Sequence, residues 1–343
     1  MGAVHACQAS RDEIGCSRFR KLEHARAPRR GGGIAPCVGV DTIMGITQHE
    51  ARALIELHKK FGPFGRVATM GRQAVFVGRR PWRTLLRTIK DAAPSSEMLG
   101  VCDGAFADDF FRLLGATEVV SFDYSDYEGA SVLHDMNVPI PPEFEHSFDF
   151  VYDGGTLEHV FNFPQAIKNC VDLLKASGLF VCATPANNFM GHGFYQFSPD
   201  LFFRLFSQEN GFRLEQVLAF EYGERGAWFE VEDPAKLGRR VDMLATKSRI
   251  VLWIVARKLG TKSIDYVSYP KQSDYVSQWE GTHQGDSKNG ASLTKARRAV
   301  ITYLYNLFPW FIDYLRGWKD RWRHKQANRK GLRSDKQAFK RIA

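Results

Sequence analysis

The sequence predicts an α/β fold built on a doubly wound, mostly parallel sheet that ends in an antiparallel strand. Two observations carry this. After Pro94, short apolar runs alternate with amphipathic segments, the pattern of strands joined by crossover helices. The run Ile250-Val251-Leu252-Trp253-Ile254-Val255 is apolar without interruption, as suits a strand buried on both faces.

On this pattern strands are expected over 98–102, 118–123, 131–134, 148–152, 179–183, 213–220 and 249–256, and helices over 106–114, 164–174 and 199–208. No helical period separates the last two strands, so they are expected to form a long-looped hairpin. Upstream, Thr47 precedes a helical spacing of Ala51, Leu54, Ile55 and Leu57, with Glu50 at the offset of a capping box. Residues 44–93 therefore read as a helical cap and 94–258 as the catalytic domain. Residues 1–43 hold a run of glycines from Gly31 to Gly33 but no apolar period and no secretory signal, so they are expected not to fold, and Met44 is a candidate start of translation. Residues 259–314 read as an extension with an aromatic amphipathic segment, and 315–343 as a basic tail.

Composition narrows the class. With 44% hydrophobic and 25% charged residues among 343, the chain is globular. Its six cysteines form no C-x-x-C pair, which suggests neither a disulfide framework nor a zinc site, and no metal is expected; a reducing cytoplasm is the default location. The net charge of +9 resides in the tail, where eleven Lys/Arg stand against Asp320 and Asp335 from 315 onward. The catalytic body is mildly acidic, and the tail cations lack a recognisable nucleic-acid motif, so nucleic acid is not an expected partner. No stretch approaches the ~20 uninterrupted apolar residues of a membrane-spanning helix.

In a doubly wound sheet, ligands bind beyond the carboxyl ends of the strands. The expected first turn, Leu99-Gly100-Val101-Cys102-Asp103-Gly104, offers Cys102, Asp103 and Gly104 to a cofactor, and Asp123 closes the second strand about twenty residues later, the spacing of a ribose-binding acid. Asp135 closes the third strand, where it would bond an adenine amino group, and Asp153-Gly154 closes the fourth. Each alone is equally an ordinary turn former. The four acids at successive strand ends are what single out a site.

The segment Phe148-Asp149-Phe150-Val151-Tyr152-Asp153-Gly154-Gly155-Thr156-Leu157-Glu158-His159-Val160, followed by Leu173-Leu174-Lys175-Ala176-Ser177-Gly178-Leu179-Phe180-Val181, resembles class I S-adenosylmethionine-dependent methyltransferases of the Leu-Glu-His-Val kind. The resemblance spans about 98–220. It implies a Rossmann-like fold, S-adenosyl-L-methionine as cofactor and methyl transfer. The first turn departs from that family's pattern, lacking its leading acid and two of its glycines. After the fifth strand comes Gly191-His192-Gly193-Phe194-Tyr195-Gln196-Phe197-Ser198-Pro199, similar to a segment of methyltransferases associated with polysaccharide biosynthesis. On that likeness the acceptor is the oxygen of a glycan or other surface-polymer precursor. His192 is a candidate base, His159 its competitor, and Tyr195 a platform for an acceptor ring; the alternatives are a loop-fixing imidazole and a packed aromatic. A non-catalytic binding or scaffold protein that has lost its cofactor is the rival reading, while a nicotinamide enzyme would need the G-x-G-x-x-G that is missing here. The aromatic segment with its basic tail suits reversible contact with an anionic membrane face.

Overall fold

The computed structural model describes residues 45–89, 105–223, 226–241, 248–264, 269–283, 314–315, 317–322, 325 and 331–342. The expectations for 1–43, for a strand at 98–102 with Cys102, Asp103 and Gly104, and for the aromatic segment up to 313 lie outside these residues.

In chain order the strands are β1 Ile46–Thr47, β2 Gly65–Met70, β3 Ala74–Phe76, β4 Ala105–Phe106, β5 Ala116–Asp123, β6 Val132–Leu133, β7 Phe148–Asp153, β8 Leu174–Asn187, β9 Phe212–Glu221, β10 Trp228–Val231, β11 Ile250–Lys258 and β12 Phe339–Arg341. The helices are α1 Gln48–Phe61, α2 Arg79–Leu86, α3 Asp108–Leu113, α4 Phe163–Leu173, α5 Pro199–Leu205, α6 Pro234–Leu237 and α7 Ser273–His283. Local chemistry explains their starts. Thr47 and Glu50 close the expected capping box on α1. Proline occupies the first turn of α4, α5 and α6, where a missing N–H costs nothing.

The main sheet runs β12-β10-β9-β11-β8-β7-β2-β5-β6, and β1, β3 and β4 form a small second sheet. Pairing is parallel from β6 through β5, β2 and β7 to β8, and antiparallel from β8 through β11, β9 and β10 to β12. The α/β class and the antiparallel final hairpin stand as expected, as does the Rossmann-like arrangement.

One boundary does not. The strand between the one carrying Asp123 and the one carrying Asp153 is β2, with Val67 opposite Val119 on one side and Phe150 on the other. Residues 44–93 are thus no separate helical cap. They supply the central parallel strand, with α1 and α2 on one face of the sheet. A five-residue run containing arginine and threonine, Arg66-Val67-Ala68-Thr69-Met70, carries too weak a strand signal to stand out.

Both faces of the sheet are buried, and β11 shows why its sequence is continuously apolar. Ile250, Leu252, Ile254 and Ala256 join the core that packs beneath α4 and α5. Val251, Trp253 and Val255 join the opposite core, beneath α1, α2 and α3. The second correction concerns the tail. β12 pairs with β10, Leu332 and Ala338 are fully buried, and Asp335 meets Arg239 at 2.8 Å, so residues 331–342 close the sheet edge instead of trailing in solvent.

If β2 is integral, expressing 94–258 alone should give no cooperative thermal transition by circular dichroism. In the intact chain Trp253→Ala, at a fully buried position, should cost about 3–5 kcal/mol in urea denaturation.

Candidate active site

The carboxyl ends of β2, β5, β7 and β8 converge on one side of the sheet, and four short turns there carry the functional side chains. The first follows β2. Gly71 has φ +68, and a Cβ on it would lie 3.0 Å from Thr156 Oγ1 and 3.8 Å from Asp123 Oδ2. Only glycine leaves this crossing open. Thr69 Oγ1 donates to the Gly71 carbonyl and Thr156 Oγ1 to the Met70 carbonyl, at 2.8 and 2.9 Å, which fixes the turn from both sides. Gln73 is buried alongside; its amide nitrogen donates to the Met70 carbonyl, while its Oε1 is buried without a partner.

Asp123 ends β5 beside this turn and is half-buried, accepting the Ser125 N–H at 3.3 Å. Arg72 lies over the Phe106 ring, 3.9 Å from its centroid, and donates to the Glu128 and Gly129 carbonyls, tying the loop after β5 across the turn. Burial, then the nearby charge of Asp123, pushes the Glu128 carboxyl above its ordinary range. Asp135 is engaged in its own turn: its Oδ1 accepts both the backbone N–H and the side-chain amide of Asn137, and those bonds lower its pKa.

Asp153 does not face a ligand. It is fully buried, with Oδ1 accepting the Thr156 and Leu157 N–H groups and Oδ2 accepting the Cys182 thiol at 3.1 Å. The acid at this strand end is a turn former that holds the 3-10 turn Leu157–His159. Burial, reinforced by Glu158, raises its pKa to about 7. Gly154 does line the site, its carbonyl accepting the Gly45 N–H at 3.2 Å.

Beyond Gly154 lies a small cleft of about 20 Å³ lined by Gly155, Glu158, Thr184, Phe189, His192 and Tyr222, with Glu50 reaching it from α1. Glu158 is its buried carboxyl group. The Glu158 carbonyl accepts the Phe194 and Tyr195 N–H groups, drawing the loop after β8 onto the 3-10 turn. Gly193 permits this with φ +70, since a Cβ there would meet the Glu158 carbonyl at 2.9 Å. The loop thereby sets His192 Nε2 3.5 Å from Glu158 Oε1, and the His159 ring 4.9 Å from the His192 ring, edge to face. Desolvation, against the opposing pull of Glu158, holds His159 below the usual imidazole range.

His159 and His192 are thus brought together. Tyr195 is not free to join them: its hydroxyl donates to the Phe161 carbonyl at 2.6 Å and its ring packs on Phe163 and Phe197. Gly71, Gln73, Glu50 and Glu158 escaped the sequence reading as site residues. Glu158 alone had a visible signal, since it stands within the quoted Leu-Glu-His-Val motif.

Residues 98–182 match the family model described as a methyltransferase domain. The chain carries a methyltransferase domain. Its cofactor is S-adenosyl-L-methionine, and the enzyme is a methyltransferase. No curated protein matches the chain. Among solved structures it is similar to the Burkholderia thailandensis 1,6-didemethyltoxoflavin-N1-methyltransferase with bound 1,6-didemethyltoxoflavin and S-adenosylhomocysteine, at 16% identity and TM-score 0.32, covering 62% of this chain and 77% of that one. It is also similar to the branched-chain polyamine synthase of Thermus thermophilus, at 13% identity and TM-score 0.32, covering 63% and 58%. Likeness this distant does not bear on the acceptor.

The residues present fit the cofactor. The Gly71 crossing is a cradle that a Cβ would fill, the Asp123 carboxylate borders it, and Gln73 Oε1 is a buried acceptor without a partner. Asp123 suits the ribose hydroxyls, and the Gly154-Gly155 backbone the methionine portion.

Asp153 gives the fold a pH signature. In the unfolded chain its carboxyl ionises near 3.8 and in the folded chain near 7. Between these values the native state holds the extra proton, so this group's contribution to stability falls as pH rises. The melting temperature of Asp153→Asn relative to wild type should therefore climb from pH 4 to pH 7 in a calorimetric series, and a flat difference would show that Asp153 titrates normally.

Proposed function

We propose that the chain transfers a methyl group from S-adenosyl-L-methionine to a hydroxyl oxygen of a glycan or other surface-polymer precursor. The carrying observation is the buried Glu158 carboxylate set against His192 in the cleft beyond Gly154, 3.5 Å apart. Methyl transfer from a sulfonium needs alignment and, for a hydroxyl acceptor, removal of one proton. An imidazole facing a buried carboxylate does the latter: as the acceptor oxygen bonds the methyl carbon and the carbon–sulfur bond breaks, His192 takes the hydroxyl proton, and Glu158 stabilises the imidazolium that results. An amine acceptor that arrives already neutral would not call for this pair.

The rim favours a sugar. Phe161 and Phe194 are 74% and 69% exposed and meet edge to face at the loop that carries His192. Aromatic faces of this kind cover the apolar side of a sugar ring.

Isothermal titration tests the cofactor half of the proposal. S-adenosylhomocysteine should bind, and Asp123→Ala should weaken it by about 1–3 kcal/mol, the range for a lost bond to a buried charged group. Gly71→Val should abolish binding while the fold persists. Absence of binding by the wild-type chain would favour the non-catalytic scaffold. For the chemistry, His192→Ala should lower kcat on a hydroxyl acceptor and leave cofactor affinity unchanged.

We further propose that the enzyme works at the cytoplasmic face of a membrane, held reversibly through its C-terminal region. Among the described residues no helix is long and apolar enough to cross a bilayer. Tyr314, Trp318 and Trp322 are exposed at a helical spacing of four, next to Lys319, Arg321 and Lys325. Aromatics and cations combined in this way suit a bilayer interface, where each cation contributes about 1 kcal/mol near anionic lipid. Vesicles rich in phosphatidylserine should sediment the full chain at low salt, and the Trp318→Ala/Trp322→Ala variant should remain in the supernatant. Truncation would be the poorer test because it removes β12 from the sheet.

A further inference from the structure

The same acceptor end of the site contains three groups whose arrangement exceeds what a proton acceptor needs. A carboxylate oxygen of Glu158 and one ring nitrogen each from His159 and His192 all lie within 4.8 Å of one another. Glu158 Oε1 and His192 Nε2 are shut off from solvent, and neither has a hydrogen-bond partner. Glu158 itself is 1% exposed. A buried carboxyl oxygen beside a buried nitrogen with no hydrogen bond between them is costly unless something sits between or beside them.

Their separation indicates what. Donor atoms bonded at about 2.0–2.2 Å to one tetrahedral ion stand roughly 3.4 Å apart. The Glu158 Oε1 to His192 Nε2 distance is 3.5 Å, longer than a good hydrogen bond and close to that ligand-to-ligand spacing. The backbone holds the donors in register: Phe194 and Tyr195 N–H groups on the Glu158 carbonyl lock the His192 loop to the turn bearing Glu158 and His159. Thr184 Oγ1 donates to Glu158 Oε2 at 3.5 Å, leaving Oε1 directed at the imidazole. One side stays open, because His159 is exposed.

We propose that Glu158, His159 and His192 bind a divalent transition-metal ion that keeps at least one coordination position for the acceptor hydroxyl. Two imidazoles and one carboxylate suit zinc, manganese or iron(II), and three protein ligands with an open position mark a catalytic site in place of a structural one. The inference rests on the reading of this cleft as the acceptor site. Within it the ion takes over the task of the imidazole: a coordinated hydroxyl is more acidic, its proton passes to water, its oxygen bonds the methyl carbon, and the carbon–sulfur bond breaks to leave the neutral thioether. Sequence spacing hides the set, since Glu158 and His159 adjoin but His192 arrives from another loop.

The test uses untagged full-length protein, stripped with chelator and titrated with MnCl2 alone by electron paramagnetic resonance and with ZnCl2 alone by calorimetry. The expected result is one ion per chain, at least tenfold weaker binding in each of Glu158→Gln, His159→Ala and His192→Ala, and a metal-dependent rise in melting temperature that those variants lack. Melting of the metal-free variants, with His192→Asn as the milder substitution, establishes that they fold. No saturable binding, or binding unchanged in Glu158→Gln and His192→Asn, would overturn the site. S-adenosylhomocysteine titrated in parallel separates the two readings: cofactor binding without metal binding removes this inference alone, and metal binding without cofactor binding upholds the site while removing methyl transfer.

Discussion

A buried carboxylate organises this protein's functional end. Glu158 is withdrawn from water beside a second buried acid, Asp153, and two such charges at close range cannot both be tolerated. Asp153 yields by holding its proton to about pH 7. Glu158 stands next to the two imidazoles. The main chain of the same residue anchors the loop after β8 through Phe194 and Tyr195, so the geometry of this cleft hangs on one position.

The sheet was legible where the chain is apolar and regular. β5, β7, β8, β9 and β11 follow from alternating or continuous apolar runs, and the antiparallel ending follows from the lack of a crossover-length helical period between β9 and β11, where among the described residues only the four-residue α6 forms. β2 was not legible. Its neighbour β5 begins 46 residues after β2 ends, where a compact crossover needs far fewer, because β3, α2, β4 and α3 intervene. A search for an acid about twenty residues past a glycine turn therefore selects 99–104, not Gly71. β12 was hidden for a different reason: Phe339-Lys340-Arg341 is too short and too charged to read as a strand, and only the exposed edge of β10 makes it one.

Within the site, residue type was a better guide than role. Asp123 borders the Gly71 turn and Gly154 lines the cleft beyond it. Asp153 and Asp135 occupy equivalent positions yet spend their oxygens on neighbouring backbone or amide groups, a choice that depends on turn geometry invisible in sequence. Tyr195 and His192 stand three residues apart on one loop, and the positive φ at Gly193 between them turns one toward Phe161 and the other toward Glu158.

The placement of β2 also governs how the chain reaches its fold. The strand is made early, yet it lies between β5 and β7, which follow it by dozens of residues. Until both arrive, its backbone donors and acceptors have no ladder to join, and neither parallel pair can be nucleated by a tight turn. Assembly from such distant pairings is slow. During synthesis β2 exposes two unpaired edges until β5 and β7 come to flank it, which leaves the incomplete sheet open to aggregation.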